Sequence, residues 1–218
     1  MKRAKRAIRR IIVRLFGRDF SKVSSELLCQ EIVSFDIFDT LIYRKDIYPE
    51  KVFEHINDES FKRKRINAER CAKRNIRGRE LTLEDIYSYL PEYDKEIEVK
   101  KELEECYPNP HALKLFSKLK RNEKRIILIS DMYMPLNVIR NILIKCGYDI
   151  SGVNIYVSSE CGFSKRTGKL FIKALHEEHV DSFFHIGDDF VSDCLMPSLY
   201  GIKTFLYFDR KTNAHNNI

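Results

Sequence analysis

Four short stretches of the chain set polar, reactive side chains at the end of an apolar run. The first, Ser34-Phe35-Asp36-Ile37-Phe38-Asp39-Thr40-Leu41, contains the acids Asp36 and Asp39. The second, Ile127-Leu128-Ile129-Ser130-Asp131, ends in a hydroxyl and a carboxylate. The third is Lys165, just ahead of a segment holding Leu170 and Phe171. The fourth, His185-Ile186-Gly187-Asp188-Asp189-Phe190-Val191-Ser192-Asp193, ends in clustered carboxylates. An acid that closes an apolar strand is costly to bury unless it is paired or metal-bound, so Asp36 demands a chemical reason. Taken singly, the other residues have duller accounts: Ser130 as a turn cap, Lys165 as a solvated lysine, Asp188 and Asp189 as caps of a following helix. His185, inside its strand, reads as a hydrogen-bonded core histidine.

Convergence of these stretches requires a scaffold that brings strand ends together. Residues 31–38, 124–130, 153–158, 182–187 and 203–208 read as short buried strands, and helical patterns fall at 135–146, 168–179 and near 192–200. This alternation predicts an α/β, Rossmann-like parallel sheet covered on both faces, with polar residues at the strand C-termini marking the active edge. The interval 48–108 breaks the rhythm and reads as helical throughout. Residues 61–79 hold nine bases and one acid, and residues 80–106 ten acids and three bases. Such opposed halves predict helices that pair by charge into a small cap, with Arg65, Arg70 or Lys73 as candidates to face an anionic substrate. The expected organisation is a core at 25–47 and 109–210, a helical cap at 48–108, a basic segment at 1–20 and a polar tail at 211–218.

Composition narrows the class further. The net charge of +7 resides in residues 1–18, whose eight bases face no acid, leaving 31 bases against 32 acids elsewhere. A nearly neutral body argues against nucleic acid as a partner. Within 1–18, Ala4, Ala7, Ile8, Ile11, Ile12, Leu15 and Phe16 share one stripe of a basic amphipathic helix. Such a segment suits the anionic inner face of a membrane or a protein partner. No apolar run reaches the ~18 residues that span a bilayer. Six scattered cysteines without metal-ligand spacing read as the reduced thiols of a cytoplasmic protein.

In their order and spacing, the four stretches together resemble the haloacid dehalogenase (HAD) superfamily of aspartate-nucleophile hydrolases, over about residues 31–208. The wording is closer still to a bacterial subgroup with FDIFDTL and SDMY signatures, whose members accompany glycosyltransferases of surface-polysaccharide synthesis. The resemblance implies that Asp36 is the nucleophile, forming an aspartyl-phosphate that water hydrolyses. It implies that Ser130 donates to a phosphate oxygen and that Lys165 pairs with phosphate and nucleophile. It implies Mg²⁺ held by the Asp36 carboxylate, the Phe38 carbonyl and Asp188, with support from Asp193 and Asp189. The implied substrate is a small phosphate monoester, such as a sugar phosphate, and the implied partner of residues 1–18 is a membrane surface or a glycosyltransferase.

One departure from the family pattern matters. The proton-carrying aspartate usual two residues after the nucleophile is here Phe38, and the glycine usual after that is Asp39. A phenyl ring transfers no proton, and general acid-base catalysis is typically worth ~10²–10⁴ in rate. Asp39 could substitute, or could bond the turn backbone. Two rivals therefore stay open: a metal-independent 2-haloacid dehalogenase, which also carries an aromatic residue there, and a catalytically weak HAD-like binding or scaffold module.

Overall fold

The computed structural model describes residues 24–45 and 60–207, together with Phe20, Phe53 and Ile56. The basic segment 1–18 and the polar tail 211–218 lie outside the described residues. The strands, in chain order, are β1 (Ile32–Phe35), β2 (Ile42–Arg44), β3 (Cys106–Pro108), β4 (Arg125–Ser130), β5 (Asn154–Val157), β6 (Phe184–Gly187) and β7 (Lys203–Leu206). Five of them form a parallel sheet ordered β5-β4-β1-β6-β7, with β1 at its centre. The five expected strands are all present, each within three residues of its expected ends, the largest difference being that the central one stops at Phe35 rather than at residue 38.

Side chains alternate across this sheet and fill two separate apolar clusters, which explains why the strands read as continuous apolar runs. Ile32, Ile127, Ile129 and Tyr156 pack on one face with Leu170 and Phe171. Val33, Phe35, Ile126 and Leu128 pack on the other with Phe116, Ile139 and Ile142. The covering helices are α1 (Ser24–Leu28), α5 (Pro110–Arg121), α6 (Leu136–Lys145), α7 (Ser158–Cys161) and α8 (Lys169–Glu178). Asn109 starts α5, its Oδ1 accepting from the His111 and Ala112 amides at 3.1 and 3.3 Å, and Pro110 occupies the first turn, where no amide hydrogen is missed. In place of one regular helix near 192–200 stand a π-helical segment, Phe190–Leu195, and a short turn of helix.

Between β2 and β3 lie α2 (Phe61–Asn75), α3 (Leu83–Tyr87) and α4 (Glu96–Glu105). β2 and β3 pair antiparallel, so the chain leaves and re-enters the body at one point. The expectation of helix throughout 48–108 is corrected here, because Cys106–Pro108 is a strand whose partner lies some sixty residues earlier in the chain. The opposed charges of the two halves do meet. Arg65 Nε and Nη2 donate to Glu98 at 2.5 and 2.8 Å with both side chains wholly buried, and Lys64 pairs with Glu92 at 3.2 Å. Arg65 is thus committed inside the insertion rather than facing a substrate, and Lys73 is paired with Glu69. No described helix is long and apolar enough to cross a membrane.

Candidate active site

Asp36 follows the last residue of the central strand, and its amide donates to the Ile186 carbonyl of β6 at 2.8 Å. On one side β4 ends at the buried Ser130, and on the other β6 ends at Gly187, followed by Asp188. This is where strand order reverses, the crevice at which open α/β sheets place their ligands. Lys165 arrives from a short 3-10 turn, Lys165–Thr167. Its ammonium, 3% exposed as a residue, lies 2.5 Å from Asp36 Oδ1 and 2.6 Å from Asp193 Oδ1. Thr40 Oγ1 donates to the other Asp36 oxygen at 3.1 Å.

One ammonium shared by two buried carboxylates sets their protonation apart. Burial, with the Asp193 charge behind it, pushes Asp36 up to about 7 against the pull of Lys165. Burial also acts to raise Asp193, but Lys165 and His185 outweigh it and hold Asp193 well below the usual carboxylate range. Burial works to lower Lys165, yet Asp193, Asp36 and Asp131 together hold it above the ordinary lysine value. His185 is lowered, chiefly by burial. With His185 Nε2 donating to Asp193 Oδ1 at 3.3 Å, its Nδ1 accepts from the Ser34 hydroxyl at 2.8 Å. Asp193 Oδ2 takes the Asp189 amide at 2.9 Å. The approach of Asp193 requires Gly187, where a Cβ would stand 2.3 Å from the Asp193 Cγ.

Asp36, Asp188 and Asp193 each offer a carboxylate oxygen, all within 4.8 Å of one another. Mg²⁺ binds hard oxygen ligands at ~2.0–2.1 Å, so opposite ligands stand ~4.2 Å apart, and a small contraction of this cluster fits it. Asp189 does not join that group. Its Oδ1 accepts the Val191 and Ser192 amides at 3.0 and 2.9 Å, capping the π-helical segment. The duller account given to both acids of the pair holds for Asp189.

The turn after Asp36 places Phe38 and Asp39 differently from a proton-carrying pair. Asp39 adopts φ 63°, the left-handed region in which glycine is unstrained and aspartate is tolerated. Its amide donates to the Ile42 carbonyl at 2.8 Å, while its exposed carboxylate makes no hydrogen bond to the turn among the described residues. Among the described residues, the turn's backbone hydrogen bonds use the Ile37 and Ile42 carbonyls and not that of Phe38. The half-buried Phe38 ring lies under the Arg44 guanidinium, 4.3 Å from it, and Arg44 Nε donates to Glu102 of α4 at 2.6 Å.

Several contributors carried no sequence assignment. Asp131 Oδ1 accepts the Lys165 amide at 2.7 Å, fixing the loop that delivers the lysine. Thr40 holds Asp36, and Ser34 supports His185, whose reading as a hydrogen-bonded core histidine is borne out by its contact with Asp193. Tyr133, three residues past Ser130, donates to Glu98 at 2.7 Å and ties the site's rim to the inserted helices. The sequence signal for Asp131 and Tyr133 was their place in the SDMY stretch that begins at Ser130, which assigned neither of them a role.

No protein-family model and no curated protein matches the chain. Solved structures do match. The HAD-family enzyme BT-2542 of Bacteroides thetaiotaomicron superposes with a TM-score of 0.61 at 14% identity, covering 85% of this chain and 97% of that one. The same enzyme in complex with magnesium and inorganic phosphate gives 0.59 at 13% identity, covering 86% and 99%. A 2-haloacid dehalogenase from Pseudomonas syringae gives 0.62 at 14% identity, covering 86% and 88%. At such identities the likeness speaks for architecture alone, and together with the central parallel sheet and its crevice it shows that this chain has the α/β fold of HAD-family enzymes.

Proposed function

We propose that the protein is a Mg²⁺-dependent hydrolase of a small phosphate monoester, with Asp36 as nucleophile. The observation that carries this reading is the pairing of a buried strand-end carboxylate with Lys165, inside a group of three carboxylates suited to a hard cation. A dehalogenase needs no metal, whereas this group of three carboxylates has the ligand type that a hard cation takes. Asp36, Asp188 and Asp193, with the Phe38 carbonyl, would hold the cation, which when bound offsets the charge of phosphate and carboxylates alike.

In this reading an Asp36 oxygen attacks phosphorus in line, and the bond from phosphorus to the leaving oxygen breaks. The leaving oxygen takes a proton from solvent water, and a second water then attacks phosphorus of the aspartyl-phosphate, breaking its bond to the Asp36 oxygen, releasing inorganic phosphate and returning Asp36 as a carboxylate. Lys165 balances charge on the transferring group, and Ser130 donates a hydrogen bond to one of its oxygens. Thr40 holds Asp36 in orientation through its second oxygen. Phe38 supplies no proton, so leaving groups that depart without one are favoured. The inserted helices act as a cap that excludes water and selects the substrate. Resemblance to the polysaccharide-associated subgroup points to sugar phosphates, with residues 1–18 attaching the protein to an anionic membrane or to a glycosyltransferase. The Phe38 substitution also favours a second reading, a catalytically weak binding module built on the same fold.

The test is a phosphatase screen over sugar phosphates and aryl phosphates, with Mg²⁺ and with chelator, on wild type and Asp36→Asn. Metal-dependent turnover abolished by Asp36→Asn is expected. Turnover that survives Asp36→Asn refutes the covalent mechanism, halide release from a 2-haloacid without metal establishes the dehalogenase, and tight substrate binding without turnover establishes the module.

A further inference from the structure

The helix α2 divides its bases between two uses. Arg65, Lys64 and Lys73 are taken by Glu98, Glu92 and Glu69. Arg63, Arg70 and Arg74 are exposed and form no ion pair with any described residue. At ~100° per residue these three fall within an arc of ~40°, with Asn67 between them. Phe61, Arg65, Ala68 and Ala72, the buried residues of α2, lie on the opposite side, so the arginines point away from the body. Arg77 adds a fourth exposed guanidinium just beyond the helix end.

The arrangement selects among anions. Eleven residues at ~1.5 Å each spread the three arginines over ~16 Å of helix, too far for one small anion to reach all three, although Arg63 and Arg70 also line, with Lys62, Lys64 and Asn67, an open cleft of about 670 Å³. They suit a flat or extended one. Guanidinium forks match phosphate oxygens in pairs. Arg70 and Arg74, four residues apart, repel each other until an anion lies across them. No aromatic side chain stands among them to stack a nucleic-acid base. The chain carries a second cationic element, the eight bases around the aliphatic stripe of residues 1–18, whose pattern belongs at a lipid interface.

We propose that the outward face of α2, through Arg63, Arg70 and Arg74, is a docking surface for the phosphate headgroups of an anionic bilayer. It is a second contact, within the folded body, separate from residues 1–18 and independent of the hydrolase reading. Each basic residue at such a surface strengthens binding about fivefold, so three contribute on the order of 10².

The test is sedimentation of the full-length protein with phosphatidylcholine vesicles, with and without phosphatidylserine. Wild type is expected to bind only the anionic vesicles, and more weakly as salt rises. The triple variant Arg63→Gln, Arg70→Gln, Arg74→Gln should lose on the order of 10² in binding with an unchanged circular-dichroism melt. The triple lysine variant should retain most of it. A second glutamine set, at Arg9, Arg10 and Arg14, separates the amino-terminal contact, and its loss should compound with the first. A glutamine triple variant on α2 that binds as tightly as wild type overturns the proposal. So does a wild-type protein that ignores anionic vesicles while binding an oligonucleotide or an acidic peptide.

Discussion

Replacing Lys165 by methionine keeps length and apolar bulk while removing the one ammonium that Asp36 and Asp193 share. The lost contacts are 2.5 and 2.6 Å long, between side chains 4%, 7% and 1% exposed. Breaking a buried pair from one side costs ~3–5 kcal/mol, because the remaining charge is left uncompensated. At ~2–4 °C per kcal/mol for a chain of this length, the melting temperature of metal-free protein should fall by ~6–20 °C at pH 7. Acid should narrow the gap. Burial already favours the protonated form of Asp36, and without Lys165 both carboxyls take up protons more readily, so the variant gains on wild type as pH drops toward 5. Saturating Mg²⁺ should restore more stability to the variant than it adds to wild type, since the cation takes over the neutralising role. Melts of both proteins at pH 5 and 7, with Mg²⁺ and with chelator, test all three statements. A deficit below ~1 kcal/mol at pH 7 would show that breaking this pair carries no such cost. A deficit equally large at pH 5 would show that uncompensated carboxylates are not its cause.

Mg²⁺ must displace the proton that Asp36 retains up to about pH 7, so calorimetric affinity should fall about tenfold per unit below 7 and level off above it; affinity flat between pH 5.5 and 7.5 refutes this. In metal-free protein the same raised value means that the unfolded chain loses its proton first, so the Asp36 contribution to stability declines as pH rises from 3.8 toward 7. Phe38→Asp should raise turnover of alkyl phosphates about tenfold or more while leaving aryl phosphates nearly unchanged, read from the ratio of their kcat values. Asp39→Asn should cost less than tenfold, and a ~10²-fold loss would instead make Asp39 the proton carrier. Tyr133→Phe removes a hydrogen bond to the buried Glu98 carboxylate and should cost ~1.5–3 kcal/mol in a urea melt while raising KM more than it lowers kcat; an unchanged KM would separate the rim from substrate capture.

The sheet was legible because each of its strands is a local apolar run ended by polar residues, and the convergence of Asp36, Lys165, Asp188 and Asp193 follows from parallel strands ending at one edge. What was not legible depends on distant partners. Cys106–Pro108 is three residues long, contains proline and becomes a strand only because Ile42–Arg44 lies beside it. Charge counting found that the two halves of the insertion pair, but not which base is buried. That signal was nevertheless present, since Arg65 shares the apolar stripe of Phe61, Ala68 and Ala72. Adjacent and identical in type, Asp188 and Asp189 are told apart in sequence only by the family resemblance, which makes the first a ligand and the second a support. They separate only where the following segment opens into a π-helical turn and takes one of them as its cap.

Phe38 reaches further than the absence of a proton carrier. Its ring supports Arg44, which pairs with Glu102, and α4 also bears Glu98, the acceptor for Arg65 of α2, Tyr87 of α3 and Tyr133 of the site's rim. The position that relatives of this pattern give to an acid therefore serves here to connect the catalytic turn with the inserted helices. An aspartate placed at 38 would stand beside the Arg44 guanidinium, which would hold it ionised and make it a poor proton donor. It would also forfeit the stacking of that guanidinium on an aromatic face. The gain expected from Phe38→Asp is therefore set below the general-acid range, at ~10-fold rather than ~10²–10⁴. Removing the charge in the double variant Phe38→Asp, Arg44→Met should free the new acid to keep its proton, at the cost of leaving Glu102 without its partner.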